Sequence, residues 1–176
     1  MRRLLQILLP VLFLVLAGAM LFIEGKKPRD FAEKLSLQPI PAKKLFPDSL
    51  KLFAKAFIIL YLLVTILSLL GIADAEKVAE TVKRQDSLTL LAAVSLGPFA
   101  EEVLFRGYLQ KRIGVIITSL LFAFLHKGYG SVAEIAAAFA VSVIFGHYVR
   151  ENNSVLPPFL AHALYNAMSV VAATRI

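Results

Sequence analysis

Cysteine is absent from this 176-residue chain, which excludes disulfides, thiolate metal sites and cysteine nucleophiles and leaves the redox compartment open. No serine stands beside a base in a recognisable pattern, so a covalent nucleophile is less attractive. The zinc-peptidase signature HExxH is missing, as are internal repeats and low-complexity tracts. No polar block is long enough for a separate soluble domain, so one membrane domain over 1–176 is the simplest organisation. Within it, 1–87 holds N-terminal helices and a polar loop, and 88–176 holds the residues with chemistry. A clustered basic face is lacking too. The formal net charge is +7, from 19 Lys/Arg against 12 Asp/Glu, but these residues flank apolar runs. Basic residues placed there meet lipid headgroups and set topology, so the expected partner is membrane lipid and not nucleic acid.

What is abundant is apolar surface. The chain is 59% hydrophobic with a mean hydropathy of +0.76, against about 45–50% apolar residues in ordinary soluble domains. The excess is blocky, as in a bundle of membrane spans. The expected fold is all-α, a polytopic transmembrane bundle of about six helices in a cell membrane. The spans are read at 4–23, 53–72, 88–109, 113–126, 132–149 and from 157 to about 173. Ala17-Gly18-Ala19 faintly resembles a signal cleavage site, but about 20 apolar residues is long for that, and a retained helix is expected.

The segment 24–51 carries seven Lys/Arg, four Asp/Glu and four prolines, so it lies along the membrane surface, with a short helix near 31–37. The segment 73–87 reads as a charged loop or an exposed helical extension. Small-residue pairs four apart, Ala136 with Ala140 and Ser142 with Gly146, predict close helix approach along 132–149. Asn152-Asn153-Ser154 predicts a turn, and Pro157-Pro158 the start of a helix. Orientation is contested: Arg2 and Arg3 argue for a cytoplasmic N-terminus, whereas the more basic 24–51 segment argues that it is the cytoplasmic side.

Three charged residues interrupt the third apolar stretch: Glu101, Glu102 and Arg106. Each costs about 2.5–3.5 kcal/mol at a bilayer centre, so three facing lipid alone would cost about 7–10 kcal/mol. They must pair, face the bundle interior or sit in a wet cavity. Glu102 and Arg106 are four apart and can form an ion pair on one helix face. Glu101 points about 100° away and needs another partner. Gly97-Pro98 just before it predicts a kink or restart of the helix. His126 follows Phe122 by four residues and Asn166 follows His162 by four, so each pair shares a helix face. A carboxylate, two imidazoles and a carboxamide from three helices suit hydrolysis by an activated water. A basic group takes the proton, and imidazole or amide N–H groups stabilise the oxyanion. Glu134 and His147, near the ends of their span, read as interfacial, and Tyr165 reads as pointing to another face than His162 and Asn166.

Glu101-Glu102-Val103-Leu104-Phe105-Arg106 matches EExxxR, Phe122 to His126 matches FxxxH, and His162 to Asn166 matches HxxxN. In this order, on apolar helices, they resemble the CPBP intramembrane proteases, which include the CAAX prenyl endopeptidases of the Rce type and the bacterial Abi proteins. The resemblance implies a helical membrane protease cutting a membrane-associated peptide or protein, with the CaaX type as one option. It implies catalytic roles for Glu101 and His126 as the pair activating water, and for His162 and Asn166 as the oxyanion pocket. Glu102, Arg106 and Phe122 become supporting or substrate-positioning residues. The family is described both as metal-dependent and as glutamate proteases. A site without a metal cofactor is the expectation, and zinc would require Glu101, His126 and His162 as ligands. Two other classes compete: a non-catalytic immunity or scaffold protein, and a proton-coupled transporter, the latter less attractive without an inverted repeat.

Overall fold

The computed structural model describes the backbone of residues 2–175 and the side chains of 8–175. The topological argument from Arg2 and Arg3 falls outside the described side chains. The chain is a helical bundle with no strand among the described residues. In chain order it contains α1 (Arg2–Ile23), α2 (Phe31–Lys34), α3 (Ala42–Leu69), α4 (Glu76–Lys83), α5 (Ser87–Val94) and α6 (Leu96–Glu101). A π-helical segment (Glu102–Leu109) follows, then α7 (Gln110–Leu125), α8 (Val132–Asn152) and α9 (Leu156–Arg175).

Among the described residues, three stretches are long and apolar enough to cross a membrane by length and composition: Ala42–Leu69, Ser87–Tyr129 and Val132–Asn152. The described apolar part of α1, Leu8–Ile23, is shorter. The expected third and fourth spans thus fall in one helical run. That run is broken at Ser95 (φ −131°, ψ −83°) and again at Gly114 (φ 79°, ψ 169°), a backbone conformation open to glycine and strained for other residues. The polar segment does contain the short helix expected near 31–37, as α2. The charged stretch before Ser87 is partly ordered as α4, which packs against α9.

The long helices bury one stripe and leave another exposed. On α3, Leu52, Ala56 and Leu60 recur every four residues and are buried, while Ile58, Leu62, Ile66 and Leu69 are exposed. Four-residue spacing keeps a stripe on one face, here the face against α8 and α9. The small residues of α8 meet α7 closely: Ser142 Oγ donates to Ser119 Oγ at 2.9 Å, and Gln110 Nε2 donates to the Gly146 carbonyl at 2.8 Å. Asn153 ends α8 in the left-handed conformation (φ 49°), and Pro157 and Pro158 lie in the first turn of α9, as their positions predicted.

Two carboxylates tie the loops to the bundle. Asp74 accepts hydrogen bonds from Val132 N and Ala133 N, both at 3.0 Å, and from Ser131 Oγ at 2.7 Å. These donors, the Ala133 amide foremost, hold its carboxyl well below the usual carboxylate range. Glu24, at the end of α1, accepts from Tyr108 Oη at 2.6 Å and Arg112 Nε at 2.7 Å, which fastens α1 to the π-helical segment and α7.

Candidate active site

The break at Ser95 and the short α6, with Gly97, Pro98 and Ala100 buried, deliver Glu101 into the bundle. From Glu102 the helix widens to π geometry, where each bond closes a larger ring than in an α-helix. Such turns are uncommon and recur at functional sites. Seven of its eight residues, Glu102 to Tyr108, are buried. The expected pair forms: Arg106 Nη1 lies 3.1 Å from Glu102 Oε1, with both side chains at most 1% exposed. Satisfaction is incomplete, since Glu102 Oε2 and the three guanidinium nitrogens of Arg106 have no hydrogen-bond partner. The guanidinium instead stacks over the Phe122 ring, 4.3 Å from its centroid.

His162 reaches this pair from mid-α9. Its Nδ1 is 3.1 Å from Glu102 Oε1, and its Nε2 is 3.8 Å from Glu101 Oε2. Glu101, one-quarter exposed, therefore has His162 as the partner it needed, and His162 stands between two carboxylates. His126 Nδ1 is 2.9 Å from the Phe122 carbonyl. A carbonyl only accepts, so that nitrogen carries the proton, and Nε2 of the neutral ring is left as an acceptor. Phe122 is the hub: its ring centroid is 4.6 Å from that of His126 and 6.2 Å from that of His162. Asn166 Nδ2 donates to the Ala93 carbonyl at 2.9 Å, linking α9 to α5.

Glu101, Arg106, Phe122, His126, His162 and Asn166 all line one cavity of about 510 Å³. Much of the remaining wall is apolar, from α1 (Leu9, Pro10, Phe13), α3 (Ala56, Leu60) and α8 (Ala137, Ala138, Val141), while Thr81, Gln85, Thr89 and Ser169 add polar groups. Glu102 lies behind the wall, fully buried. Two readings from the sequence need correction. Tyr165 does not point away from the site: it lines the same cavity, because the wall curves around α9. Glu134 is not interfacial: the first turn of α8 packs beside the His126–Tyr129 turn, so it too lines the cavity. The pattern Ser131-Val132-Ala133-Glu134 was a helix-start signal that fixed where this residue falls. His147 sits elsewhere, against Arg150 at 3.2 Å. Among the described residues, no three His, Asp or Glu side chains cluster closely enough to hold a metal ion. The Glu101–His126–His162 set that zinc would need is not assembled in this arrangement.

Glu, Arg and His side chains that converge on a largely apolar cavity between helices long and apolar enough to span a membrane define a class of site, since ionisable residues within such helices usually mark function. Residues 83–168 match the family described as type II CAAX prenyl endopeptidase Rce1-like, so over this part the chain is similar to the CPBP family. Two curated proteins are similar to part of this chain. One, "Uncharacterized protein YpbD" of Bacillus subtilis (strain 168), is 39% identical over 82 residues, covering 46% of this chain and 41% of that protein. The other, "Uncharacterized 24.3 kDa protein" of Escherichia coli, is 35% identical over 85 residues, covering 43% and 39%. The match therefore spans about two-fifths of each relative's length. No solved structure matches the chain.

Proposed function

We propose that the protein is an integral, multi-pass membrane endopeptidase that hydrolyses a peptide bond of a membrane-associated peptide or protein, without a metal cofactor. The observation that carries this reading is the convergence of Glu101, His126, His162 and Asn166 on one cavity with apolar walls, within the region that matches the Rce1-like family. Such a chamber suits a polar backbone segment carried on an apolar chain or helix. A lipidated, CaaX-type peptide is one member of that substrate class.

In the proposed mechanism a water molecule sits between Glu101 and His126. The acceptor Nε2 of His126 orients it, and the Glu101 carboxylate takes its proton as the oxygen attacks the carbonyl carbon. His162, held through Nδ1 by Glu102, and the Asn166 amide stabilise the oxyanion. The His162 nitrogen available for this is Nε2, on the side of Glu101. Glu101 then returns the proton to the amine as the C–N bond breaks, leaving a carboxylate and an amine.

The test is cleavage of a peptide library that includes lipidated members by purified protein in nanodiscs, read by mass spectrometry. Glu101→Gln is expected to lower the rate by about 10²–10⁴-fold, the usual contribution of a positioned base. A chelator is expected to leave wild-type cleavage unchanged. Loss of cleavage with chelator would move Glu101, His126 and His162 to a metal site. An inactive wild type, challenged also with substrates from its own membrane, would sink the protease reading in favour of the scaffold.

A further inference from the structure

The cavity contains a carboxylate for which the proposed chemistry has no use. Glu134 lies in the first turn of α8, where its backbone amide is capped by Ser131 Oγ at 3.1 Å. An acidic side chain at this position usually helps to satisfy the first amides of its helix. Here Asp74 already accepts from Val132 N and Ala133 N. The Glu134 side chain makes no hydrogen bond or ion pair with any described residue. It faces the cavity together with Glu101, His126, Tyr129, His162 and Tyr165, and it is close enough to Glu101, His126 and His162 to feel their charge.

The charges of the chamber do not balance. Among the described residues Arg106 is the one guanidinium in the wall, and it is paired with Glu102 and covered by Phe122. No lysine lines the cavity among the described residues. Within that set, Glu101 and Glu134 share the chamber with the two imidazoles as counter-groups. In a chamber whose walls are largely apolar, an unmatched carboxylate is stabilised by a cation that enters with the substrate.

We propose that Glu134 is a specificity-determining residue that pairs with a basic side chain, Lys or Arg, of the bound peptide near the scissile bond. This rests on the protease reading for its meaning but not for its measurement. Glu101 is the chemical carboxylate. Glu134, on a different helix, reads the neighbouring residue.

The experiment measures binding and cleavage in the same samples. Fluorescent, palmitoyl-anchored peptides carry Lys, norleucine or Glu at one scanned position, and are added to the full chain in nanodiscs. At one position or a few adjacent ones, the wild type is expected to bind the Lys peptide about tenfold more tightly than the norleucine peptide, the scale of one partly buried ion pair. Glu134→Gln should reduce that ratio to about one while leaving norleucine binding unchanged. Glu134→Lys should invert it in favour of Glu, and Glu134→Asp should keep part of the Lys preference. A Lys preference that survives in Glu134→Gln, or no Lys preference at any position, overturns the inference. Charge-selective binding without cleavage would sink the protease reading alone, whereas cleavage without charge selectivity would sink this one alone.

Discussion

Two Glu–Arg pairs have their arginines on the same helical run, one at the chamber wall and one near the end of α1, and they are built in opposite ways. Glu24 and Arg112 are each about one-third exposed, and both are saturated. Glu24 also accepts from Tyr108 Oη, and Arg112 donates Nη1 to the Tyr108 carbonyl at 2.8 Å and stacks 3.5 Å over its ring. Glu102 and Arg106 are sealed from solvent, yet four of their polar atoms have no hydrogen bond. Solvent reaches the first pair, whereas the second meets only the cavity, through Arg106. A fold arranged for stability alone would saturate the buried pair first, since an unmade buried hydrogen bond costs about 1–3 kcal/mol. Glu102 instead shares one oxygen between Arg106 and His162, so the under-satisfied pair also holds an imidazole in place.

Breaking the buried pair from one side should give the largest effect. Arg106→Ala leaves Glu102 charged and uncompensated in the core, with an expected loss of about 3–5 kcal/mol. Thermal melting in nanodiscs reads it. The double variant Glu102→Gln/Arg106→Met removes both charges and should recover most of that loss, while cleavage stays abolished because His162 has lost its anchor. A single variant as stable as the wild type would mean that the pair is wetter than its burial states.

How far the sequence revealed this comparison depends on the distance between partners. Glu102 and Arg106 are neighbours on any helical turn, so spacing alone paired them, and it left Glu101 in want of a partner. The three motifs pointed to the residues that share the cavity, and apolar runs pointed to the bundle. Spacing says nothing about partners that meet through tertiary packing. His162 is 60 residues from Glu102, and Arg112 is 88 from Glu24, so neither contact had a local signature. The π turn is also invisible, because its sequence is apolar and helical by any periodicity. Glu134 and Tyr165 were misread for one reason: their faces were assigned from position within a span, and the cavity wall is set by how α8 and α9 lie against the His126 turn.

A smaller effect is expected where the two pairs are held together from outside. Gly107 follows Arg106, and a Cβ there would run into the backbone carbonyl of Leu35. The turn that supplies Leu35 is fixed on both sides: Val155 N donates to the Ser36 carbonyl at 2.9 Å, and Lys111 Nζ to the Lys34 carbonyl at 2.9 Å. It has little room to retreat. Gly107→Ala should therefore destabilise by about 1–3 kcal/mol, the usual range for overpacking. Gly128→Ala, whose Cβ would meet nothing within 4 Å, is the matched control and should melt close to the wild type. Equal melting of the two variants would show that the 28–36 segment is not a fixed wall for the π-helical segment.

The exposed pair should give the smallest effect, and pH isolates it. Hydrogen bonds from Arg112 first, and then Tyr108, hold the Glu24 carboxyl down at about 2, against an ordinary value of 4.5. A carboxyl lowered by folding contributes stability that is full above its unfolded value and is lost as the pH falls through the folded one. The contribution of Glu24 is thus present at neutral pH and disappears between about 4.5 and about 2. Asp74 is lowered as well and acts with the same sign, so Glu24→Gln should keep part of the acid sensitivity. The expected result is a modest Tm gap between wild type and Glu24→Gln at neutral pH that closes as the pH approaches 2, and that added salt narrows because the pair is partly exposed. The buried pair, shielded from ions, should show no such salt response. A gap for Glu24→Gln that ignores both acid and salt would mean that Glu24 fastens α1 by packing and not by charge, and the contrast between the two pairs would fail on its exposed side.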